Sequence, residues 1–155
     1  MNYLICTLDD ENYTEPTFHV CDTKKSAFIE SMKMLEELFQ VEDSKIEITN
    51  RGDVLRIDWS HKNGFFVIED MPFEESAGDC LLVWHHAYGV NFKILAQGTY
   101  EECIKERIRV IKKIFAEEDL SSGDNEGFDM ETDTCIDTGE EWEVFSIINI
   151  NTIHF

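Results

Sequence analysis

The chain repeats itself: Thr23-Lys-Lys-Ser-Ala-Phe-Ile-Glu-Ser-Met-Lys-Met-Leu-Glu-Glu-Leu-Phe39 aligns without a gap with Thr99-Tyr-Glu-Glu-Cys-Ile-Lys-Glu-Arg-Ile-Arg-Val-Ile-Lys-Lys-Ile-Phe115. The offset is 76 residues, from 23 to 99. Apolar residues recur in both segments at steps of three and four, which predicts amphipathic helices over 24–39 and 100–115. Each helix follows a Thr suited to N-capping, and Glu102 completes a capping box with Thr99.

Strand patterns flank both helices. Alternating or apolar runs bounded by turn residues predict strands at 3–8, 16–21, 45–49, 53–60 and 65–70, and again at 81–86, 91–96, 128–136 and 142–150. Only the 45–49 strand lacks a counterpart, so each half is a ββαββ-like unit. We expect an α+β fold made by tandem duplication, with mostly antiparallel sheet packed on two amphipathic helices. The predicted repeats are 1–76 and 77–155, which together form one compact pseudo-symmetric pair.

The composition limits the class of function. The 155 residues include 33 Asp and Glu against 13 Lys and Arg, a formal net charge of −20, and 43% of the residues are hydrophobic. That apolar content is too high for a disordered chain, so the charge belongs to a folded protein. A surface this acidic repels nucleic acids and anionic membranes, which excludes direct binding to either over a broad area.

Cysteine usage indicates the compartment. The chain has five cysteines and no CxxC pair, which predicts reduced thiols in the core of an intracellular protein. The sequence shows neither a secretory signal nor the roughly 18 consecutive apolar residues that a membrane span needs. We expect a cytoplasmic protein, in the host cytoplasm if it is viral. The cysteines are Cys6, Cys21, Cys80, Cys103 and Cys135.

Negative charge is concentrated in an acidic strand or loop at residues 117–143, which holds twelve acids and no Lys or Arg. Within it Asp129, Glu131 and Asp133 alternate with other residues, so on a strand they form a row of carboxylates roughly 6.6–6.8 Å apart. Such a row is either a solvated surface or a face for a cationic partner. The candidate partner-binding residues are Asp124, Glu126, Asp129, Glu131, Asp133, Asp137, Glu140 and Glu141.

The same carboxylates imitate a calcium loop. Counted from Asp129, the oxygen-bearing positions of an EF-hand are occupied, the last of them by Glu140. The sharp turn of that loop needs Gly at its sixth position, where this chain has Thr134. We therefore expect no metal site, and no cofactor is indicated.

The second helix is the exception to the acidity, because it carries Lys105, Arg107, Arg109, Lys112 and Lys113. Glu106 lies three residues before Arg109, a spacing typical of a solvated helix face with ion pairs. These cations are also near enough in sequence to neutralise the acidic strand.

Catalytic motifs are missing from the sequence. It contains no Gly-rich phosphate loop, no GxSxG elbow and no HExxH helix. His85 and His86 are adjacent, so on a strand they point to opposite faces and do not share a metal. Cys80 lies near them in sequence without a feature that would activate its thiol. We expect a protein that is not an enzyme.

In its acidity the chain is similar to small inhibitor proteins of viruses and mobile elements, which present carboxylates in place of phosphates. The resemblance implies a non-catalytic counter-defence inhibitor of the anti-CRISPR or anti-restriction kind, occupying the basic surface of a nucleic-acid-binding enzyme. An immunity protein for a basic nuclease toxin would have the same surface. The remaining alternative is a small-ligand-binding protein or enzyme with a pocket between the repeats.

The last segment bears on self-association. Residues 144–155 are nearly uncharged and apolar on both strand faces. Such a strand either lies inside a sheet or forms an edge that needs cover, which a homodimer would supply.

Overall fold

The computed structural model describes residues 2–8, 17–37, 46–51, 54–61, 64–86, 92–116, 125–139 and 142–152. It is an α+β structure with two α-helices and antiparallel sheets in these ranges. The chain divides into two compact units, unit 1 (Met1–Ser76 with Asn151–Phe155) and unit 2 (Ala77–Ile150). Neither described helix has the length and apolar character needed to cross a membrane.

The described residues of unit 1 form one helix and a five-stranded sheet. The strand order is β2-β1-β5-β4-β3, and every neighbouring pair is antiparallel. The first strand therefore lies between its hairpin partner and the last strand of the unit. In chain order the elements are β1 (Asn2–Leu8), β2 (Thr17–Cys21), α1 (Lys24–Glu37), β3 (Ile46–Arg51), β4 (Val54–His61) and β5 (Gly64–Phe73).

Helix α1 starts where the sequence predicts. The Ser26 amide donates to Thr23 Oγ1 at 3.0 Å, and the Thr23 amide donates to Ser26 Oγ at 3.2 Å. This reciprocal pair satisfies amides that a helix leaves unbonded at its start. One face of the helix then packs on the sheet, where Ala27 and Leu35 join Ile5 in a buried cluster.

In unit 2 the described residues form one helix and a four-stranded antiparallel sheet of order β7-β6-β9-β8. Its elements are β6 (Cys80–His86), β7 (Phe92–Gly98), α2 (Tyr100–Ile114), β8 (Cys135–Asp137) and β9 (Trp142–Asn149). Short 3-10 turns lie at Glu75–Ala77 and Ile150–Thr152. The last strand, β9, lies inside the sheet between β6 and β8, so it is not the edge strand that would need cover.

The predicted capping box of α2 is confirmed. The Thr99 amide donates to Glu102 Oε2 at 2.7 Å, and the Glu102 amide donates to Thr99 Oγ1 at 3.2 Å. The hydrogen bonds to Thr99 lower the pKa of the Glu102 carboxyl group. The apolar side of the helix packs into a buried cluster that includes Leu82, Ile111 and Phe145.

The two helices bury residues at the same four positions of the alignment. Helix α1 buries Ala27, Ser31, Met34 and Leu35, and α2 buries Cys103, Arg107, Val110 and Ile111, each 76 residues later. The strand expected over 128–136 is wrong, since only Cys135–Asp137 is a strand and residues 128–134 form turns and irregular backbone.

Candidate functional site

The acidic turn, as residues 125–139 are called here, brings together five of the candidate partner-binding residues. Glu126, Asp129, Glu131 and Asp133 are exposed, and Asp137 is half-buried. Asp124, Glu140 and Glu141 lie outside the described residues. The structure therefore displays four carboxylates to solvent within a stretch of eight residues.

Side-chain hydrogen bonds to the main chain explain why this stretch is a turn and not a strand. Asp133 Oδ2 accepts from the Asp129 amide at 2.7 Å, and Asp129 Oδ1 accepts from the Glu131 amide at 2.9 Å. The Asp133 amide in turn donates to the Asp129 carbonyl at 2.7 Å. Short carboxylate side chains compete for amides in this way and favour turns over strands. The expected row of carboxylates on one strand face is therefore not formed.

Arg107 fixes the acidic turn to the core of unit 2. Its Nε donates to the Met130 carbonyl at 3.2 Å, its Nη1 to the Phe145 carbonyl at 3.3 Å, and its Nη2 to the Glu131 carbonyl. The residue is only 2% exposed, so its interpretation as part of a solvated helix face is wrong. Burial lowers the pKa of the guanidinium group. Arginine nevertheless remains protonated in proteins, because its ordinary pKa is so high. Helix α2, the turn and strand β9 thus meet at one buried cation.

The other cations of α2 behave as the sequence predicts. Lys105, Arg109, Lys112 and Lys113 are exposed. Arg109 pairs with Glu106 through two side-chain contacts, one of 2.8 Å and one of 2.5 Å.

Asn125 closes the base of the turn. Its side-chain amide imitates a strand partner for Asp137, since Nδ2 donates to the Asp137 carbonyl at 2.7 Å and Oδ1 accepts from the Asp137 amide at 3.1 Å. Asn125 itself is 6% exposed. The Phe145 amide also donates to the Thr134 carbonyl at 2.7 Å, next to the short strand β8. The Asn125–Asp137 pair thus joins the two ends of the turn, and the hydrogen bonds from Arg107 and from the Phe145 amide hold its middle.

A second polar cluster lies where β6 pairs with β9. The buried Glu143 carboxylate accepts from Trp84 Nε1 at 2.5 Å and lies 2.6 Å from His86 Nδ1. The Trp84 ring stacks on Phe145, with 5.7 Å between centroids. The hydrogen bond from Trp84 satisfies one oxygen of a buried carboxylate, and the proximity of His86 supplies a group that can carry the opposite charge. Their arrangement is that of a structural cluster.

Two other features bear on catalysis. Burial raises the pKa of the Cys80 and Cys103 thiols and raises that of Cys135 to about 11, so all three favour the protonated, weakly nucleophilic form. Over the ranges that the structure covers, no group of three or more His, Cys, Asp or Glu side chains is placed to hold a metal ion. The Asp129 and Asp133 carboxylates instead bind amides of their own turn.

Sequence reasoning missed the two residues that shape the turn. For Arg107 a signal was present, because it lies four residues after Cys103 and four before Ile111, in the middle of the apolar face of α2. A cation at that position predicts a buried partner. For Asn125 no comparable signal exists, since a single Asn among acids and Gly is typical of any loop.

Comparison with protein-family models, with curated proteins and with solved structures finds no significant match to this chain. What the site binds must therefore be inferred from its own residues.

Proposed function

We propose that this is a non-catalytic binding protein whose acidic turn occupies a basic, nucleic-acid-binding surface of a partner protein. The observation that carries the proposal is the anchoring of the turn by Arg107. Its three hydrogen bonds go to main-chain carbonyls, so the guanidinium holds the backbone without occupying the carboxylates of Glu126, Glu131 and their neighbours. Those carboxylates remain directed to solvent for a partner.

Charge supports this assignment. The acidic turn contains five acids and no Lys or Arg, so it stays strongly negative even when the charge of Arg107 is counted with it. A basic groove that evolved for phosphates attracts any dense set of anions, and the attraction steers the partner into contact. The net charge of −20 extends that steering to the whole molecule.

Preorganisation supports it as well. Ordering a loop on binding costs free energy, which a turn that is already ordered avoids. The hydrogen bonds of Asp129, Asp133 and Asn125 fix the backbone of the turn before a partner arrives. A loop that only increased solubility would not need hydrogen bonds that fix its backbone.

We also propose that the scaffold arose by tandem duplication of a ββαββ unit. The four shared buried positions of α1 and α2 support this, and so does the strand order, in which β2-β1-β5-β4 parallels β7-β6-β9-β8. Strand β3 has no counterpart among the residues of unit 2 that the structure describes. The acidic turn contains the short β8, which has the place in unit 2 that β4 has in unit 1, so the function is assigned to a region where the two copies differ.

The proposed compartment is the cytoplasm. All five cysteines are free thiols, four of them buried, as expected in a reducing environment. A nucleic-acid-binding enzyme of defence or of a toxin system would be encountered there.

The test compares two charge-reversed variants of equal net charge. Glu126→Lys with Glu131→Lys alters the acidic turn at exposed positions, and Glu36→Lys with Glu37→Lys makes the same change at exposed positions of α1. A partner is first captured from cells of the source organism and purified. Binding is then measured by titration at several salt concentrations, and by competition with duplex DNA.

The turn variant is expected to bind at least about tenfold more weakly at low salt, while the α1 variant stays within about twofold of the wild type. DNA and the wild-type protein should exclude each other from the partner. Equal affinity of the two variants, or simultaneous binding of DNA and protein, would contradict the proposed function.

A further inference from the structure

A cleft of about 310 Å³ opens beside the acidic turn. This volume is near the lower limit of the roughly 300–1,000 Å³ typical of small-ligand sites, so it suits one long side chain better than a drug-sized molecule. Polar groups make up most of its lining. The lining residues are Asn125, Glu126, Phe128, Asp133, Thr134 and Cys135.

The charge of the cleft comes from two carboxylates. Glu126 and Asp133 line it and are both exposed to solvent. One oxygen of Asp133 accepts from the Asp129 amide, but a carboxylate accepts about four hydrogen bonds, so Asp133 keeps capacity for a ligand. Cys135 contributes a neutral thiol, because burial raises its pKa to about 11.

An aromatic ring forms the apolar part of the lining. Phe128 is half-buried and packs against the core cluster of unit 2, which fixes the position of its ring while leaving part of it accessible. An aromatic side chain in the same lining as two carboxylates offers two different contacts to one cation. The ring attracts it through its quadrupole, and the carboxylates accept its hydrogen bonds.

We infer that this cleft receives an arginine side chain of the partner protein, an inference that rests on the proposed function and names its recognition element. A guanidinium is planar, so it stacks on the Phe128 ring while its N–H groups reach Glu126 and Asp133. A lysine ammonium, which is compact and strongly hydrated, forms the ionic contacts but does not stack in this way.

The probes are three blocked pentapeptides with Gly at four positions and Arg, Lys or the uncharged isostere citrulline at the centre. Each is titrated into the full-length protein while the backbone amide signals are followed by NMR. The Arg peptide is expected to shift Phe128, Thr134 and Cys135 in a saturable way. The Lys peptide should bind about two- to fivefold more weakly, and the citrulline peptide should give no saturable shift.

Matched variants separate the cleft from the general acidity of the turn. Glu126→Gln removes one charge from the cleft, whereas Glu131→Gln removes the same charge from the same turn outside the cleft. Phe128→Leu removes the ring and keeps an apolar side chain. We expect Glu126→Gln and Phe128→Leu to weaken binding of the Arg peptide about two- to fivefold each, and Glu131→Gln to weaken it less than twofold.

The outcomes distinguish the two proposals. Arg and Lys peptides that bind equally, or equal losses in Glu126→Gln and Glu131→Gln, would overturn the arginine cleft and leave a diffuse acidic surface as the proposed function. Absence of saturable binding by the Arg peptide would also overturn the cleft. Localised binding of that peptide, with partner binding unaffected by the charge reversals at Glu126 and Glu131, would leave an arginine-binding cleft but contradict both its use by the partner and the proposed function.

Discussion

The two helices place different residues at one equivalent position. In α1 the position is Ser31, whose hydroxyl donates to the Ala27 carbonyl at 2.8 Å and so completes its hydrogen bonding within the helix. In α2 it is Arg107, whose guanidinium bonds three carbonyls outside the helix. Both residues are almost fully buried. At this helix position, a short side chain makes its hydrogen bond within the helix, whereas a long one bonds and orders a neighbouring segment.

The same contrast appears between the buried cations of the two units. Arg56 of unit 1 donates to the Asp58 carboxylate at 2.6 to 2.8 Å, so its charge is matched by a neighbour on the same strand. Arg107 of unit 2 bonds carbonyl dipoles instead. A cation bound to carbonyls stabilises backbone and leaves nearby carboxylates unoccupied. Unit 2 accordingly combines an anchored turn with exposed carboxylates.

The largest effect is expected from Arg107→Leu. It leaves three carbonyls without their charged donor, and loss of such a buried network lowers the free energy of unfolding by about 3 kcal/mol. Arg107→Lys keeps the charge but not the three-way geometry, so an intermediate loss is expected. Urea unfolding gives the stability, and hydrogen exchange at Asp129 and Asp133 reports on the turn.

Ser31→Ala is the matched control for Arg107. It removes a hydrogen bond internal to the helix and adds a better helix former, so stability should stay within about 0.5 kcal/mol of the wild type. Unchanged exchange at Asp129 and Asp133 in both Arg107 variants would show that Arg107 does not hold the turn.

An effect of intermediate size is expected from His85. Its Nδ1 faces the His86 carbonyl at 3.2 Å, and its Nε2 has no hydrogen-bond partner among the residues that the structure describes. Burial lowers the pKa of this imidazole from its ordinary 6.5. Around and below pH 6.5, unfolded His85 therefore binds more of a proton than folded His85 does. The unfolding free energy consequently falls as the pH drops through and below 6.5, by up to about 1.4 kcal/mol per pH unit.

His85→Asn retains a donor for the His86 carbonyl and does not titrate. Urea unfolding of this variant and of the wild type is measured between about pH 7.5 and about pH 5, a range that brackets the ordinary His pKa. The two proteins are compared in the slope of their unfolding free energy against pH. Parallel slopes would contradict the assignment of acid sensitivity to His85.

A smaller effect is expected from the helix caps. Thr99→Ala removes an acceptor for the Glu102 amide and should lower stability by about 1 kcal/mol. Thr23→Ala should cost somewhat less, because its capping partner Ser26 lacks the carboxylate that favours the positive end of a helix. Thermal unfolding measures both, with Glu101→Ala as an exposed control. A larger loss for Thr23→Ala would reverse the expected ranking.

The parts of the fold that depend on local sequence were predictable. Helix periodicity and the capping box of Thr99 involve residues within four positions of each other, and the structure confirms both. The alternation of apolar and acidic residues wrongly predicted a strand at 128–134, because Phe128 and Met130 are spaced like the inward-facing residues of a strand. Whether such a stretch is extended depends on the Asp129 and Asp133 carboxylates and on Arg107, more than 20 residues earlier in the chain.

The candidate site was predictable in its composition but not in its shape. Counting acids locates the charge at 117–143, because net charge is a property of sequence alone. The cleft needs the packing of Phe128 against unit 2 and the pairing of Asn125 with Asp137, which are contacts of the folded chain. Sequence alone therefore identified the acids and not the surface that they form.

The contacts of Arg107 also bear on how fast the acidic turn opens. Its acceptors lie 23, 24 and 38 residues further along the chain. Helix α2, the acidic turn and β9 must therefore all be in place before the guanidinium group is buried with its three hydrogen bonds made. Interactions completed after the folding transition state slow unfolding with little effect on the folding rate. We therefore expect the acidic turn to open only when three separate segments loosen together, which would preserve the arrangement of its exposed carboxylates.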